Sequence, residues 1–137
     1  MSISFEDLQV GQRWQSTGRT LTGADLTIAC MTSGDWHPIH ADTEFAKQSI
    51  GGQRIFHGTY GLHIAMALAT KFPDLGSDVV GALGFSEWRF RTPLVIGDTG
   101  HVEKWAAKSE TGWRFFRATV PNILRRMQPL CQAVFSD

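Results

Sequence analysis

Residues 58–72 read GTYGLHIAMALATKF and predict a helix over Gly58–Phe72. Apart from His63 and a few small polar groups, this helix would be apolar on every face. Such a helix is expected to be buried on nearly all sides, and His63 is expected to be a hydrogen-bonded core histidine. At about 1.5 Å per residue the helix would be roughly 20 Å long, which matches the width of a small sheet.

The chain that follows this helix has the period-two pattern of β-strands. Its strand-like segments are rich in Val, Trp and Phe, and turn residues separate them. The predicted strands are Val79–Phe90, Gly100–Lys108, Trp113–Pro121 and Gln128–Phe135, with turns at Gly97–Asp98 and Thr111–Gly112. The sequence therefore predicts an α+β fold, in which a long antiparallel sheet wraps around one apolar helix. The uncovered face and edge of such a sheet favour a second copy as its cover.

The chain that precedes the central helix reads as helices and loops. Thr22 and Asp25 have the spacing of a helix start, in which Thr22 is the cap and Asp25 complements the dipole. That helix is expected to run to about Thr32 and to end at Ser33–Gly34. A shorter helix is expected near Thr43–Gln48.

Composition limits the functional classes. The 137 residues are 42% hydrophobic and 19% charged, which is typical of one globular domain spanning 1–137. Thirteen basic residues balance thirteen acidic ones, so the basic excess of a nucleic-acid binder is missing. The N-terminus lacks the features of a signal peptide, and the longest apolar run is too short for a bilayer. We therefore expect a cytoplasmic protein without a membrane or nucleic-acid partner.

Two short segments are candidates for chemistry. Asp35 and His40 lie in the loop Ser33–His40, where Pro38 disfavours an ordinary helix and can bring a carboxylate and an imidazole together. Such a pair can polarise a water molecule and return a proton. The structural alternative is that Asp35 caps the preceding helix and His40 bonds a loop carbonyl. Gly58 opens the central helix, where unpaired N–H groups can bind an oxyanion, or it merely relieves crowding there.

These segments together resemble the MaoC-like dehydratases, in particular the R-specific enoyl-CoA hydratases. The family pattern G-D-x-N-P-[IL]-H corresponds to Gly34–His40, and [IV]-x-H-G corresponds to Ile55–Gly58, with Phe45–Ala46 between them. The strand ending in Gly97–Asp98 is also similar. The resemblance is good over about Phe5–Lys108 and weaker over the last thirty residues.

The resemblance implies a hot-dog fold and a homodimer that acts on an acyl-CoA or acyl carrier protein thioester. It implies that Asp35 and His40 activate the water that attacks the β-carbon, and that the Gly58 N–H binds the thioester oxygen. The predicted substrate contacts are Trp36, His37, His57 and Arg91. No separate cofactor is expected, because coenzyme A enters as part of the substrate.

Two residues depart from the hydratase pattern. His37 replaces the family's asparagine, and Met66 stands where characterised hydratases often place a serine that supports the aspartate. Both departures leave the acid/base pair in place. They bear on the substrate and on how Asp35 is oriented.

Three alternatives remain beside the hydratase interpretation. A metal site built from Asp35, His37, His40 and Asp42 is disfavoured, because Pro38 separates the histidines. A hot-dog thioesterase typically needs a carboxylate on or beside the central helix, and Gly58–Phe72 contains none. A catalytically silent acyl-binding subunit would have no need of an intact Asp35/His40 pair.

Overall fold

The structure is a computed structural model that describes residues 7–70, 81–86, 90, 92–109, 112–115, 117–119 and 130–134. The helices are α1 Gly23–Ser33, α2 Pro38–Ala41, α3 Thr43–Lys47 and α4 Gly58–Ala69. The strands are β1 Arg13–Gln15, β2 Arg19–Thr20, β3 Gly81–Ser86, β4 Thr99–Trp105, β5 Ala107–Ser109, β6 Gly112–Phe115, β7 Arg117–Thr119 and β8 Leu130–Val134. None of the helices in these ranges has the length and apolar character that crossing a bilayer requires.

All described strand pairs are antiparallel, as predicted, and among the described residues they fall into two groups. Strands β1, β2 and β7 all pair with β4, and the other group has the order β3-β8-β6-β5. Residue 106 separates β4 from β5 along the chain. After the central helix, β3, β7 and β8 lie within the predicted segments, and β4, β5 and β6 each overlap one of them. Strands β1 and β2 were not predicted. At three and two residues, they are too short to carry a visible alternation.

The N-terminus of α1 is fixed as its sequence predicts. Thr22 and Asp25 form a reciprocal capping box. Asp25 is buried and also accepts hydrogen bonds from Arg19 Nη2 (2.6 Å) and Tyr60 Oη (3.2 Å). Burial acts to raise the pKa of Asp25, but the hydrogen bonds and the Arg19 charge outweigh it and leave the pKa below its ordinary value. One carboxylate therefore joins α1, β2 and α4.

The core lies on one side of α4. Ile64 and Leu68 of α4 pack with Phe56 and with Val102 of β4. The prediction that α4 is buried on nearly all sides is wrong for a single chain, because Leu62, Ala65, Met66 and Ala67 are partly exposed. His63 is exposed rather than a core histidine, and its ring lies 5.8 Å from that of Tyr60. A helix such as α4 that packs against a single layer has only one of its faces covered.

Other local predictions are confirmed. Gly97 has φ 95°, and the adjacent Asp98 is buried and accepts a hydrogen bond from Val95 N–H, so a turn forms at Gly97–Asp98. The second predicted turn involves Thr111, which lies outside the described residues. Cys30 is buried, with 1% of its surface exposed, and burial raises the pKa of its thiol.

Candidate active site

The loop after α1 begins with a left-handed glycine. Gly34 has φ 72° and donates its N–H to the carbonyl of Cys30 at 2.9 Å, which is a helix ending that favours glycine. The Asp35 N–H then donates to Ser33 Oγ at 3.1 Å. The end of α1 therefore fixes the backbone of Asp35 from the N-terminal side.

The carboxylate of Asp35 is oriented by the next turn of backbone. Its Oδ1 accepts the N–H of His37 at 3.0 Å, and 52% of the side chain is exposed. The His37 N–H is the largest influence on the pKa of Asp35, which lies below its ordinary value of 3.8. Partial desolvation opposes this shift, and the charges of the nearby histidines add to it. Asp35 is therefore a carboxylate at neutral pH.

His37 acts here mainly as a helix cap. Its Nδ1 accepts the N–H of Ile39 at 3.2 Å, and Pro38 occupies the first turn of α2. The prediction that Pro38 disfavours a helix is wrong, because α2 begins at Pro38 and a proline at the first helical position loses no hydrogen bond. Since α2 carries His40, the His37 cap also sets the position of that imidazole.

His40 bonds a loop carbonyl, as the structural alternative predicted. Its other ring nitrogen remains available as an acceptor. Its Nδ1 lies 2.7 Å from the Ile55 carbonyl oxygen. Because a carbonyl can only accept, Nδ1 carries the proton, and the lone pair of the neutral ring is on Nε2. That Nε2 lies 3.7 Å from Asp35 Oδ2, and 12% of the His40 side chain is exposed.

His57 contacts both Asp35 and His40. Its side chain is 8% exposed, and its Nε2 is 3.0 Å from the Asp35 carbonyl oxygen and 3.6 Å from Asp35 Oδ2. Its ring stacks on that of His40, with 3.8 Å between centroids and 26° between planes. The buried Nδ1 has no hydrogen-bond partner within the described part of the chain.

Gly58 is the first residue of α4, and the described residues provide no hydrogen-bond acceptor for its N–H. The N–H therefore lies at the positive end of a twelve-residue helix, as an oxyanion donor would. A Cβ at this position would lie 2.6–2.7 Å from three ring atoms of Phe90. The crowding interpretation of Gly58 thus also has support, and the two are compatible.

The donor atoms of Asp35, His40 and His57 lie within 4.8 Å of one another, a spacing that can hold a metal ion. This group differs from the one considered from the sequence, because His37 and Asp42 cap α2 and α3. Metal ligands need lone pairs that converge on one point. The His57 Nε2 instead faces the Asp35 carbonyl oxygen at 3.0 Å and carries a proton there, so in this arrangement it offers no lone pair to a metal.

Of the remaining predicted substrate contacts, Trp36 is 54% exposed beside Asp35, and Arg91 lies outside the described residues. Phe45, which was not among the predicted contacts, is 47% exposed, and its ring lies 6.0 Å from that of His37. Met66 takes no part in the hydrogen bonds that fix Asp35.

Two features of the site were not identified from the sequence. The loop carbonyl offered there as an alternative partner of His40 was not identified as that of Ile55, and the His57 bond to the Asp35 backbone was not predicted. The motif Ile55-Phe56-His57-Gly58 contains both residues, but main-chain acceptors leave no mark in side-chain patterns. The backbone pairs Ile55 N–H with Ile39 O and Phe56 N–H with Leu94 O, which holds the motif against α2.

The chain is similar in sequence to known proteins of two bacteria. Protein MaoC of Klebsiella aerogenes is 36% identical over 99 residues, which is 72% of this chain and 29% of that protein. A 3-hydroxybutyryl-CoA dehydratase of Methylorubrum extorquens is 34% identical over 103 residues, 74% of this chain and 62% of that protein. The chain thus spans less than two thirds of either relative.

The fold has a close counterpart among solved structures. The unliganded R-hydratase PhaJ1 from Pseudomonas aeruginosa matches with a TM-score of 0.80 and 24% identity, over 96% of this chain and 84% of that one. The fold is therefore the hot-dog fold that the sequence resemblance implied. The sequence model of the MaoC like domain matches residues 7–123. Because this match covers most of the chain, the chain belongs to the MaoC-like family.

Proposed function

We propose that this chain adds water reversibly to the double bond of a 2-enoyl thioester and so forms the 3-hydroxyacyl thioester. The observation that carries the proposal is the 3.7 Å separation of Asp35 Oδ2 and His40 Nε2. Two atoms this far apart can both lie about 2.8 Å from one water oxygen. One is a carboxylate oxygen and the other a ring nitrogen with a lone pair, so both can accept the protons of that water.

In the hydration direction, the water bound by Asp35 and His40 loses a proton to this pair as its oxygen attacks the β-carbon. The pair then returns a proton to the α-carbon, and the roles reverse in dehydration. As the enolate develops, negative charge accumulates on the thioester oxygen. The Gly58 N–H, at the positive end of α4, is the proposed donor to that oxygen.

The substrate class in this proposal is an acyl-CoA or acyl carrier protein thioester. Membership of the MaoC-like family supports it, as does the relative named for 3-hydroxybutyryl-CoA dehydration. Trp36, which follows Asp35 in the chain, and Phe45, whose ring lies 6.0 Å from that of His37, supply exposed aromatic surface where part of the acyl thioester would bind. Neither residue fixes the acyl-chain length.

We also propose a homodimer. Four apolar residues of α4, Leu62, Ala65, Met66 and Ala67, remain partly exposed in a single chain. Exposed apolar surface on a central helix favours a second layer that removes it from water. A second copy is the cover that the resemblance implies.

The test is to incubate the purified chain with a panel of 2-enoyl-CoA thioesters and to follow two signals together. Hydration removes the conjugated-enoyl absorbance and leaves the thioester intact, so we expect absorbance to fall without thiol release. Thiol release would instead identify a thioesterase, although no acidic residue lies on Gly58–Ala69. Binding without either signal would identify a silent acyl-binding subunit.

A further inference from the structure

His57 makes contact with both members of the proposed acid/base pair. Its ring lies against the His40 ring, and its Nε2 reaches the backbone carbonyl of Asp35. Since a carbonyl oxygen only accepts, His57 must donate, and its Nε2 therefore carries the proton. The ring is buried and its side chain provides no cap for α4, whose N-cap residue it is. These contacts point away from the substrate-contact role that the resemblance implied.

Each contact restrains a different degree of freedom. The Nε2–H bond restrains the carbonyl of Asp35, whereas the Ser33 bond holds its N–H and the His37 bond holds its carboxylate. Stacking restrains the plane of the His40 ring, which the Ile55 carbonyl holds at only one edge. With both restraints, Asp35 Oδ2 and His40 Nε2 keep the separation that fits one water molecule.

We infer that His57 is a positioning residue that aligns Asp35 through its Nε2–H and His40 through its ring face. This inference rests on the proposed hydratase function. A side chain with both a flat ring and an edge donor is needed, which explains why a histidine occupies the position. Displacement of a catalytic group by a fraction of an ångström to one ångström can lower a rate by up to about 100-fold.

Two substitutions separate the two contacts. His57→Gln keeps an amide donor near the Nε2 position and loses the ring, whereas His57→Phe keeps a ring and loses the donor. We expect each to lower kcat by about 10-fold or more with little change in KM. His63→Gln and His63→Phe are matched controls, because His63 is exposed on the same helix, and both should retain wild-type kcat.

Pairing these variants with changes in the catalytic residues tests the route of each effect. If the donor acts through Asp35, His57→Phe should add little to the loss caused by Asp35→Asn. If the ring acts through His40, His57→Gln should add little to the loss caused by His40→Gln. Multiplicative losses in both pairs would overturn the positioning role, because they are the result that a general loss of packing would give.

A second measurement works without catalysis. Long-range ¹⁵N–¹H correlation spectra of the histidine rings in the wild-type chain distinguish the two neutral tautomers, and the His57→Gln spectrum assigns the His57 signals. We expect the proton on Nε2, and a proton on Nδ1 would overturn the inference. A wild-type chain without hydratase activity would contradict the proposed function. The tautomer of His57 would then decide whether His57 aligns Asp35 as inferred. An active wild type with fully active His57→Gln and His57→Phe would overturn the inference alone.

Discussion

The imidazole rings of His40 and His57 lie face to face, with 3.8 Å between their centroids and 26° between their planes. Both Nε2 atoms lie within 3.7 Å of Asp35 Oδ2, yet their hydrogen bonds give them opposite roles. The His40 proton is on Nδ1, so its Nε2 can accept, whereas the His57 proton is on Nε2 and is engaged by a carbonyl. The site thus pairs one available base with one fixed donor.

The His37 cap predicts a difference between two substitutions. His37→Asn restores the family residue, and its side-chain oxygen can accept the Ile39 N–H as the ring does now. We expect kcat within about twofold of wild type by steady-state kinetics, since the donor to Asp35 is the backbone N–H of residue 37. His37→Ala removes the cap, which contributes about 1 kcal/mol. If all of this energy were lost from the activation barrier, kcat would fall by about fivefold, so we expect no larger effect.

A large fall in kcat for His37→Asn would contradict this account, because it would show that the imidazole itself takes part in catalysis. An effect confined to KM in both variants would instead indicate a substrate contact. Circular dichroism of each variant checks that the helices are retained.

The Asp25 network predicts an acid-sensitive contribution to stability. The pKa of Asp25 in the folded chain lies below its ordinary value of 3.8. A carboxylate with a lowered folded pKa stabilises the fold at pH above the unfolded pKa, and this stabilisation is lost as pH falls through the folded pKa. Asp25→Asn should lower the free energy of unfolding by about 2 kcal/mol at neutral pH.

Urea denaturation at a series of pH values measures this difference. We expect the gap between wild type and Asp25→Asn to narrow as pH falls below 3.8 and to close once pH lies below the lowered folded pKa of Asp25. Glu44→Gln is the control, because Glu44 forms an exposed ion pair with Lys47 and should cost less than about 1 kcal/mol. A gap that is independent of pH would refute the linkage to Asp25 ionisation.

Metal removal is expected to leave activity unchanged. The Asp35, His40 and His57 donors are close enough for a metal ion, but the His57 Nε2 donates to the Asp35 carbonyl and so offers no lone pair to a metal in this arrangement. Dialysis against a chelator should leave kcat within about twofold of the untreated protein. A loss of activity that is restored by one divalent metal would require a metal mechanism in place of the proposed one.

The partly exposed apolar residues of α4 predict a dimer in solution. Light scattering at micromolar concentration should give about twice the mass of a 137-residue chain. Met66→Glu places a charge on this partly exposed part of α4 and should shift the mass toward that of one chain. A monomeric wild type would contradict the proposal that a second copy covers this surface.

The features that local chemistry determines were predictable from sequence. The Thr22/Asp25 capping box, the glycine at position 34 and the Gly97–Asp98 turn each depend on residues within a few positions of one another. Contacts between distant segments were harder to predict. The exposure of His63 depends on which face of α4 the core covers, and the pairing of β1 and β2 depends on β4.

The site shows the same division. Asp35 and His40 were identified because a motif contains them, and the structure brings their side chains to within 3.7 Å. The contacts of His57 join the start of α4 to the loop after α1 through a main-chain carbonyl. Side-chain patterns cannot report such an acceptor, so the contact emerges only from the three-dimensional arrangement.

The central claim is that Asp35 and His40 hold one water molecule between them. The most direct test is a double-mutant cycle on kcat for hydration of a 2-enoyl-CoA, with Asp35→Asn, His40→Gln and the double variant. Each single change should lower kcat by about 100-fold or more, and the double variant should be little worse than the more damaging single change. His63→Gln should behave as wild type. Hydration at the wild-type rate in both single variants, or losses that multiply in the double variant, would contradict the claim.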